Sequence, residues 1–286
     1  MELTNKDFNE LSKCPWCNDN VENSKLLYTD LIGCDVVQCS KCGLVYAKRR
    51  LNGAGLDKYW NKYYSRVHTA DQEMNYKREK MYELDFKYIN SYISNGSVLD
   101  IGCGDGSFMN YFERNGFKTV GVEFGKEAAS VGKKEHNIYY GVFTEIDIDE
   151  AIDLVVFRGV LQYVPDSKAY LEKAISLLKN RGIIFITAQP NIDSFCFNLF
   201  KENFTQPISG TDFCGFSESI LTEFMVENGM RKIGEKYFYE ETPYANVKED
   251  IKAVAKAISC NENGENIAFS SPPFWGNMMS LVYEKI

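Results

Sequence analysis

The chain of 286 residues is poor in histidine, with only His68 and His136. It also contains no apolar run near the roughly 20 residues that span a bilayer. Its first seven residues are polar or acidic apart from Met1 and Leu3, unlike a secretory signal. We therefore expect no membrane segment. The shortage of histidine also leaves few candidates for a general base near neutral pH.

Positive charge is scarce as well. Lys and Arg total 32 against 40 Asp and Glu, which gives a formal net charge of −8. Nucleic-acid binding requires clustered Lys and Arg. The one dense basic run is Lys48-Arg49-Arg50, and such runs are usually solvated. The composition therefore argues against a nucleic-acid partner.

The most informative segment is residues 98–106, Val-Leu-Asp-Ile-Gly-Cys-Gly-Asp-Gly. An apolar strand precedes Asp100, and the three glycines let the backbone approach a ligand closely. A dinucleotide site requires G-x-G-x-x-G, and Ser107 breaks that spacing. Asp100 and Asp105 would also repel a pyrophosphate, whereas they suit a cationic ligand without phosphate. A dinucleotide site and a purely structural turn are the alternatives.

This segment resembles the first motif of the class I S-adenosylmethionine (SAM)-dependent methyltransferases, whose cofactor carries an ammonium and a sulfonium. The resemblance implies an α/β fold with a Rossmann-like seven-stranded core. SAM as cofactor makes a cytoplasmic location the default expectation. The segments that we expect to form the later strands are 118–123, 137–142, 153–157, 182–188, 232–241 and 279–285.

Glu123 ends the expected second strand, 23 residues after Asp100. An acidic side chain at this point accepts hydrogen bonds from ribose hydroxyls in nucleotide-binding α/β folds. The resemblance places adenine after the third strand and the methyl donor after the fourth. The cofactor-binding residues that we expect are Asp100, Gly102, Cys103, Gly104, Glu123, Phe124, Phe143, Thr144, Arg158, Gly159 and Val160.

The segment after the fourth strand also faces the acceptor in the family that this chain resembles. Many relatives have histidine where this chain has Tyr163, so we expect Tyr163 to contact the reacting groups. His68 lies in a segment that resembles a lid and is the other catalytic candidate. His136 is expected at the surface. A base helps only an acceptor that must lose a proton, so an acceptor that is already deprotonated requires none.

Four of the nine cysteines form two C-x2-C pairs, Cys14 with Cys17 and Cys39 with Cys42. The 21 residues between the pairs are typical of a zinc ribbon. Four thiolates close a tetrahedron around zinc, so we expect a structural ion that does no chemistry. A redox pair and disulfides are the alternatives, and a cytosolic chain disfavours structural disulfides. Cys34 breaks the spacing and is left out of the site.

These observations predict a zinc-ribbon domain at 1–50, a helical linker or lid at 51–93 and a methyltransferase domain at 94–286. The combination resembles bacterial enzymes that methylate sugars for surface polysaccharides or secondary metabolites. Relatives that methylate sugar carbon usually carry a further domain after the core, and we expect no such domain in this sequence. We therefore expect O- or N-methylation of a small acceptor such as a sugar or sugar-nucleotide. The rivals are a ribosomal or transfer RNA methyltransferase and a non-catalytic SAM-binding or zinc-ribbon protein. Oligomeric state is not predicted.

Overall fold

The computed structural model describes residues 3–61, 64 and 72–286. The strands are β1 Phe8–Glu10, β2 Ser24–Thr29, β3 Asp35–Cys39, β4 Val45–Ala47, β5 Arg49–Leu51, β6 Ser97–Ile101, β7 Lys118–Glu123, β8 Ile138–Tyr140, β9 Ile152–Arg158, β10 Leu178–Pro190, β11 Cys214–Gly215, β12 Met230–Lys236 and β13 Met278–Lys285. The helices are α1 Gly53–Trp60, α2 Gln72–Ile89, α3 Met109–Glu113, α4 Lys126–Gly132, α5 Ser167–Leu177, α6 Phe195–Phe200, α7 Glu218–Glu227 and α8 Val247–Glu262. None of these described helices is long and apolar enough to cross a bilayer.

Seven strands form one sheet in the order β12-β13-β10-β9-β6-β7-β8. Strands β10, β9, β6, β7 and β8 pair in parallel, and β13 is antiparallel to both of its neighbours. Strand β6 pairs with both β7 and β9, so the strand order reverses beside it. Ligands of open α/β sheets bind outside the carboxyl ends of strands at such a reversal. The Rossmann-like seven-stranded core is thus confirmed.

Alternate residues of the central strands enter two different cores. On β9, Leu154 and Val156 pack in one cluster, and Val155 and Phe157 pack in another. Successive side chains of a strand point to opposite faces, so the sheet is covered on both sides. Helices α2 and α3 contribute to the first cluster, and α5, α7 and the amino-terminal region contribute to the second. This double burial explains the nearly unbroken apolar sequence of the strand.

The amino-terminal region is joined to the methyltransferase-like core by backbone pairing. Its four-stranded sheet has the order β11-β4-β3-β2, and β11 comes from the segment after β10. Cys214 pairs with Tyr46 in this ladder. Trp16 also packs against Phe216 and Phe224, with ring centroids 5.4 and 5.1 Å apart. The predicted boundary at residue 50 therefore divides the sequence only. One hydrophobic core contains residues from both sides of it.

The sixth strand of the sheet differs from its expected bounds. An alternating pattern predicts a strand over residues 232–241, but β12 covers Met230–Lys236. The aromatic side chains that follow are engaged elsewhere. Tyr237 packs against Trp275, and Tyr239 packs against Phe274. The alternation beyond β12 thus reflects ring packing against a later loop.

Candidate cofactor site and cysteine cluster

The glycine-rich loop follows β6 and lies close to two neighbouring segments. Gly102 has a φ of +72°, and a Cβ there would lie 2.6 Å from Cγ2 of Val160. Gly106 has a φ of +84°, and a Cβ there would overlap the ring of His136. Only glycine combines this backbone conformation with such close approach. The loop is therefore a tight backbone cradle at the carboxyl end of β6.

Glu123 ends β7 and turns its carboxylate toward this loop. Its Oε2 accepts a hydrogen bond of 2.8 Å from the backbone N–H of Gly104, and its Oε1 accepts one from Gly125. The side chain is buried, and burial raises its pKa despite these bonds. The carboxylate therefore lies against the glycine-rich loop.

Two adjoining cavities open beside the loop, one of about 490 Å³ and one of about 290 Å³. Both are lined by Trp60, Gly102, Glu123, Gly159 and Tyr163. The shared residues come from α1, from the loop and from the segments that follow β7 and β9. Together the two cavities form an elongated site across the carboxyl ends of the strands.

The larger cavity is lined mainly by apolar groups. Phe124, Phe143, Val160 and residues of the amino-terminal region, including Leu51 and Leu56, form its walls. Thr144 is exposed and does not line it, whereas the next residue, Glu145, does. Its apolar walls are suited to an aromatic base.

The smaller cavity is lined by charges of both signs, from Asp100 and Asp105 and from Arg78 and Arg158. Asp100 is buried, and burial raises its pKa to about 7, although the nearby Arg158 opposes this shift. A buried carboxylate beside a guanidinium complements a ligand that carries both an ammonium and a carboxylate.

Cys103 contributes backbone to the smaller cavity and a buried side chain to a small core. Its side chain packs with Met109, Ala129 and Ile138 beneath the loop. Burial raises the pKa of this thiol well above its ordinary value. A thiol in this state is not a nucleophile, so its place at the site is structural.

Of the two predicted catalytic residues, the structure describes Tyr163 but not His68. Tyr163 lies at the junction of the cavities, where its ring packs on Trp60 at a centroid distance of 5.1 Å. Burial raises the pKa of Asp212, and the nearby Tyr163 hydroxyl opposes this rise. His68 lies outside the residues that the structure describes.

The expectation for His136 is wrong. Its side chain is 3% exposed, and its Nδ1 lies 3.0 Å from Oε1 of Glu113. The ring supports Gly106 from below. The polar sequence around His136 gave no sign of this burial, because both partners come from other segments of the chain.

Two other contributors were missed because their signals are not local. Arg50, in the basic run that we expected to be solvated, lines the larger cavity and donates a hydrogen bond of 2.8 Å to the carbonyl of Pro165. Asp85 on α2 accepts a hydrogen bond from Nε of Arg158 at 2.8 Å. No sequence motif connects these positions.

The four cysteines of the two C-x2-C pairs converge on one point. Their sulfur atoms all lie within 4.8 Å of one another, with Cys14 and Cys42 at 3.7 Å and Cys17 and Cys39 at 3.5 Å. These separations exceed a disulfide bond of about 2.05 Å. They match the ~3.8 Å between sulfurs of a tetrahedral site with Zn–S bonds of about 2.3 Å. The arrangement therefore fits a four-coordinate zinc ion.

The two halves of the cluster are built alike. Asn18 follows the first pair with a φ of +58°, and Gly43 follows the second with a φ of +77°. The N–H of each donates a hydrogen bond of 3.0 Å to the carbonyl of the first cysteine of its pair, Cys14 or Cys39. Asn and Gly are the residues that adopt this left-handed conformation readily. Each turn thus aims two sulfurs at the common centre.

Comparison with known proteins agrees with this architecture. A family model described as a methyltransferase domain matches residues 75–230. The ubiquinone biosynthesis O-methyltransferase of Aliivibrio fischeri (strain MJ11) is 29% identical over 111 residues, which cover 35% of this chain and 47% of that protein. The corresponding protein of Rhodopseudomonas palustris (strain BisB5) is 34% identical over 113 residues, 37% of this chain and 45% of that protein. The chain thus spans about half the length of the curated relatives it matches.

Solved structures share the fold at low identity. Magnesium protoporphyrin IX methyltransferase from Synechocystis PCC 6803 with bound S-adenosylhomocysteine (SAH) has a TM-score of 0.57 at 12% identity, covering 82% of this chain and 100% of that chain. The 1,6-didemethyltoxoflavin-N1-methyltransferase of Burkholderia thailandensis has a TM-score of 0.54 at 14% identity, covering 91% and 99%. The family model covers more than half of the chain. The chain therefore belongs to the methyltransferase domain family and has the fold of class I methyltransferases.

Proposed function

We propose that SAM lies across both cavities, with its adenosine in the larger one and its amino-acid end in the smaller one. The observation that carries this proposal is the wall that the cavities share. There the glycine loop and the buried carboxylate of Glu123 meet. In SAM the ribose lies between an aromatic base and a charged amino-acid end. In the site, the carboxylate of Glu123 lies between the apolar larger cavity and the charged smaller cavity.

In the larger cavity, Glu123 accepts hydrogen bonds from the ribose hydroxyls in our proposal. Phe124, Phe143 and Val160 pack against the base. Thr144 is replaced in this role by Glu145, since only the latter lines the cavity. Gly102, Gly104 and Gly159 provide backbone that lies close to the ligand.

In the smaller cavity, Asp100 and Arg158 are the proposed contacts of the amino-acid end. The carboxylate of Asp100 attracts the ammonium, and its negative charge also favours a sulfonium over a neutral sulfur. Cys103 takes part through its backbone. Charges of both signs in this cavity favour the zwitterionic amino-acid end over the adenosine end.

SAM when bound supplies a methyl group on a sulfonium, which an acceptor atom displaces in line. The chain then has to hold the acceptor close to that carbon and exclude water. Tyr163 and Trp60 lie where the two cavities meet and are the proposed boundary of the acceptor site. His68 remains a sequence-based candidate for a base.

We propose a small-molecule acceptor, methylated on oxygen or nitrogen. The relatives named above are methyltransferases of small molecules, and the net charge of −8 disfavours RNA. Tyr163, Gln162 and Gln206 line the smaller cavity and offer hydroxyl and amide groups. These groups hydrogen-bond to hydroxyls, which supports a carbohydrate or sugar-nucleotide as the first class to test.

The four-cysteine cluster is proposed to hold a structural zinc ion. The four thiolates complete the coordination of the metal and leave no position for substrate. A hydrogen bond from the Cys42 thiol lowers the pKa of Cys14 to about 5, so a thiolate forms there readily. The ion stabilises the region that provides Arg50 and Leu51 to the larger cavity.

Calorimetry with SAH tests the cofactor proposal without any acceptor. We expect one SAH per chain and no competition from NAD⁺, which carries a pyrophosphate. Transfer of a labelled methyl group from SAM to a panel of sugars, sugar-nucleotides, phenols and amines then tests the acceptor class. Binding of NAD⁺ but not SAH would overturn the cofactor assignment, and labelling of phenols or amines alone would overturn the carbohydrate assignment.

A further inference from the structure

Asp85 is the most deeply buried acidic side chain near the site, and it has no role in the proposal above. It lies on α2 with 1% of its surface exposed. Its Oδ2 accepts a hydrogen bond from Nε of Arg158, and its Oδ1 accepts one from the hydroxyl of Thr187, both at 2.8 Å. The Thr187 hydroxyl lies 2.7 Å from that of Ser280. Residues from α2, β9, β10 and β13 are thus joined in one chain of polar contacts.

Two kinds of contact hold the guanidinium of Arg158, a hydrogen bond at its Nε and aromatic rings against its planar face. The group lies over the ring of Tyr82 at 4.5 Å and over that of Phe108 at 5.7 Å. Its Nε is bound to Asp85. Among the residues that the structure describes, none forms a hydrogen bond or ion pair with its two terminal nitrogens. Arg158, Tyr82 and Phe108 all line the smaller cavity.

The contacts of Arg158 resemble those of a guanidinium prepared to bind an anion. The two terminal nitrogens of a guanidinium form a planar fork that binds a carboxylate with two parallel hydrogen bonds. Fixing the group in advance reduces the entropy lost on binding. Asp100 lies close enough for Arg158 to oppose the rise in its pKa. An anion site beside a cation site matches the carboxylate and ammonium of one α-amino acid.

We infer that Asp85 is a positioning residue for the cofactor. Through its contact with Nε, it holds Arg158 so that the terminal nitrogens bind the carboxylate of SAM in the smaller cavity. This inference rests on the proposed orientation of SAM. It adds that the guanidinium of Arg158 binds the carboxylate of SAM and that Asp85 holds this guanidinium in place. The competing explanation is that the Asp85–Arg158 pair only ties α2 to the sheet.

A pair of ligands separates these explanations. SAH and its decarboxylated analogue, which keeps the ammonium, differ only in the carboxylate. We expect the wild-type protein to prefer SAH by roughly 10- to 100-fold in calorimetry, as for charge-assisted hydrogen bonds. Arg158→Gln should abolish this preference. Arg158→Lys should restore only part of it, because an ammonium lacks the fork.

Asp85→Asn should reduce the preference for SAH at least threefold while leaving affinity for the decarboxylated analogue unchanged. In the Arg158→Gln background the same substitution should change neither affinity. If Asp85→Asn does not fold, Thr187→Val tests the same contact, because it removes the hydroxyl that holds Oδ1 of Asp85. Asp153→Asn is the matched control. Its carboxylate pairs with Lys179 at 2.7 Å at the far end of β9 and lines neither cavity.

Three results would overturn the inference. The wild-type protein binds both ligands equally, Asp85→Asn weakens both by the same factor, or the preference disappears in Arg78→Gln and persists in Arg158→Gln. Each of these leaves SAH binding, and hence the proposed function, intact. Failure of the wild-type protein to bind SAH at all would instead overturn the proposed function itself.

Discussion

The cysteine cluster and the cofactor site are both built on turns with positive φ, but they are completed differently. In the cluster, two short segments of the chain bring four sulfur atoms within 4.8 Å of one another. In the cofactor site, the ends of β6, β7 and β9 and residues from α1 surround an elongated space. In our proposal one zinc ion completes the cluster, whereas the cofactor site has to admit and release SAM.

The difference has an energetic consequence. Thiolates around zinc stabilise the fold when the ion is present, because the unfolded chain has no such site. Burial of the Asp100 and Glu123 carboxylates opposes folding, as their raised pKa values indicate, and in our proposal the ammonium of SAM offsets this cost at Asp100. We therefore expect the zinc-bound cysteine cluster to stabilise the fold and the ligand-free cofactor site to destabilise it.

The largest effect is expected from loss of the zinc site. Cys39→Ser should remove the bound zinc and lower the free energy of unfolding by on the order of 5 kcal/mol or more. SAH affinity should fall as well, because β4 pairs with β11 and the N–H of Phe213 donates a hydrogen bond to the carbonyl of Gln162 beside the cavity. Metal analysis, thermal unfolding and calorimetry measure the three effects.

Cys260→Ser is the control for the cysteine substitution, since Cys260 lies on α8 outside the cluster. It should keep zinc, stability and SAH affinity. A Cys39→Ser protein with unchanged zinc content and unfolding temperature would contradict a structural metal site.

The second-largest effect is expected at Asp100. A rise in pH should lower the stability of the ligand-free protein but increase its affinity for SAM. Burial raises the pKa of Asp100 from an ordinary 3.8 to about 7, so the folded state keeps a proton that the unfolded state releases. Ligand-free stability should therefore decrease as the pH rises from about 4 to 7. Asp100→Asn should remove this dependence and stabilise the protein at pH 8 by on the order of 4 kcal/mol.

SAM affinity should change in the opposite direction at Asp100. The carboxylate form binds the cation, so affinity should increase as the pH rises through about 7 and should be weak and flat in Asp100→Asn. Calorimetry and chemical unfolding between pH 5 and 8 check both parts. Equal affinity of the two proteins for SAM at pH 8 would remove Asp100 from the site.

A smaller effect is expected at Glu123. Glu123→Gln should weaken SAH binding by about 1.5–3 kcal/mol, because charge-assisted hydrogen bonds to the ribose become neutral ones. The free energy of unfolding should also fall, by about 1–3 kcal/mol, because the amide NH2 cannot accept one of the two backbone hydrogen bonds that the carboxylate accepts. Exposed Glu172 on α5 offers a matched Glu→Gln control with no expected effect. An equal change in both variants would argue against a ribose contact.

The smallest effect is expected at Thr144. This side chain is exposed and lines neither cavity. Thr144→Ala should change both SAH affinity and stability by less than about 0.5 kcal/mol. Phe143, which is buried and lines the larger cavity, is the contrasting position for the same measurements. A tenfold loss of affinity in Thr144→Ala would restore the adenine contact that the family resemblance implies.

Short-range patterns predicted the parts of both sites that neighbouring residues build. The glycine loop, the apolar strands and the C-x2-C turns follow from the conformations that a few consecutive residues allow. The contacts of Asp85 could not be predicted in this way, since its partners Arg158 and Thr187 lie 73 and 102 residues away. The same holds for His136, whose polar neighbours in sequence are not its neighbours in space.

The sequence by itself determined the type of each site: four thiols at metal-binding spacing, and an acidic, glycine-rich loop after a buried strand. Only the tertiary structure decided what completes them, including the pairing of β11 with the amino-terminal sheet and the partner of Arg158. The physical reason is that backbone conformation depends on adjacent residues, whereas burial and charge pairing depend on which distant segments the packed sheet brings together.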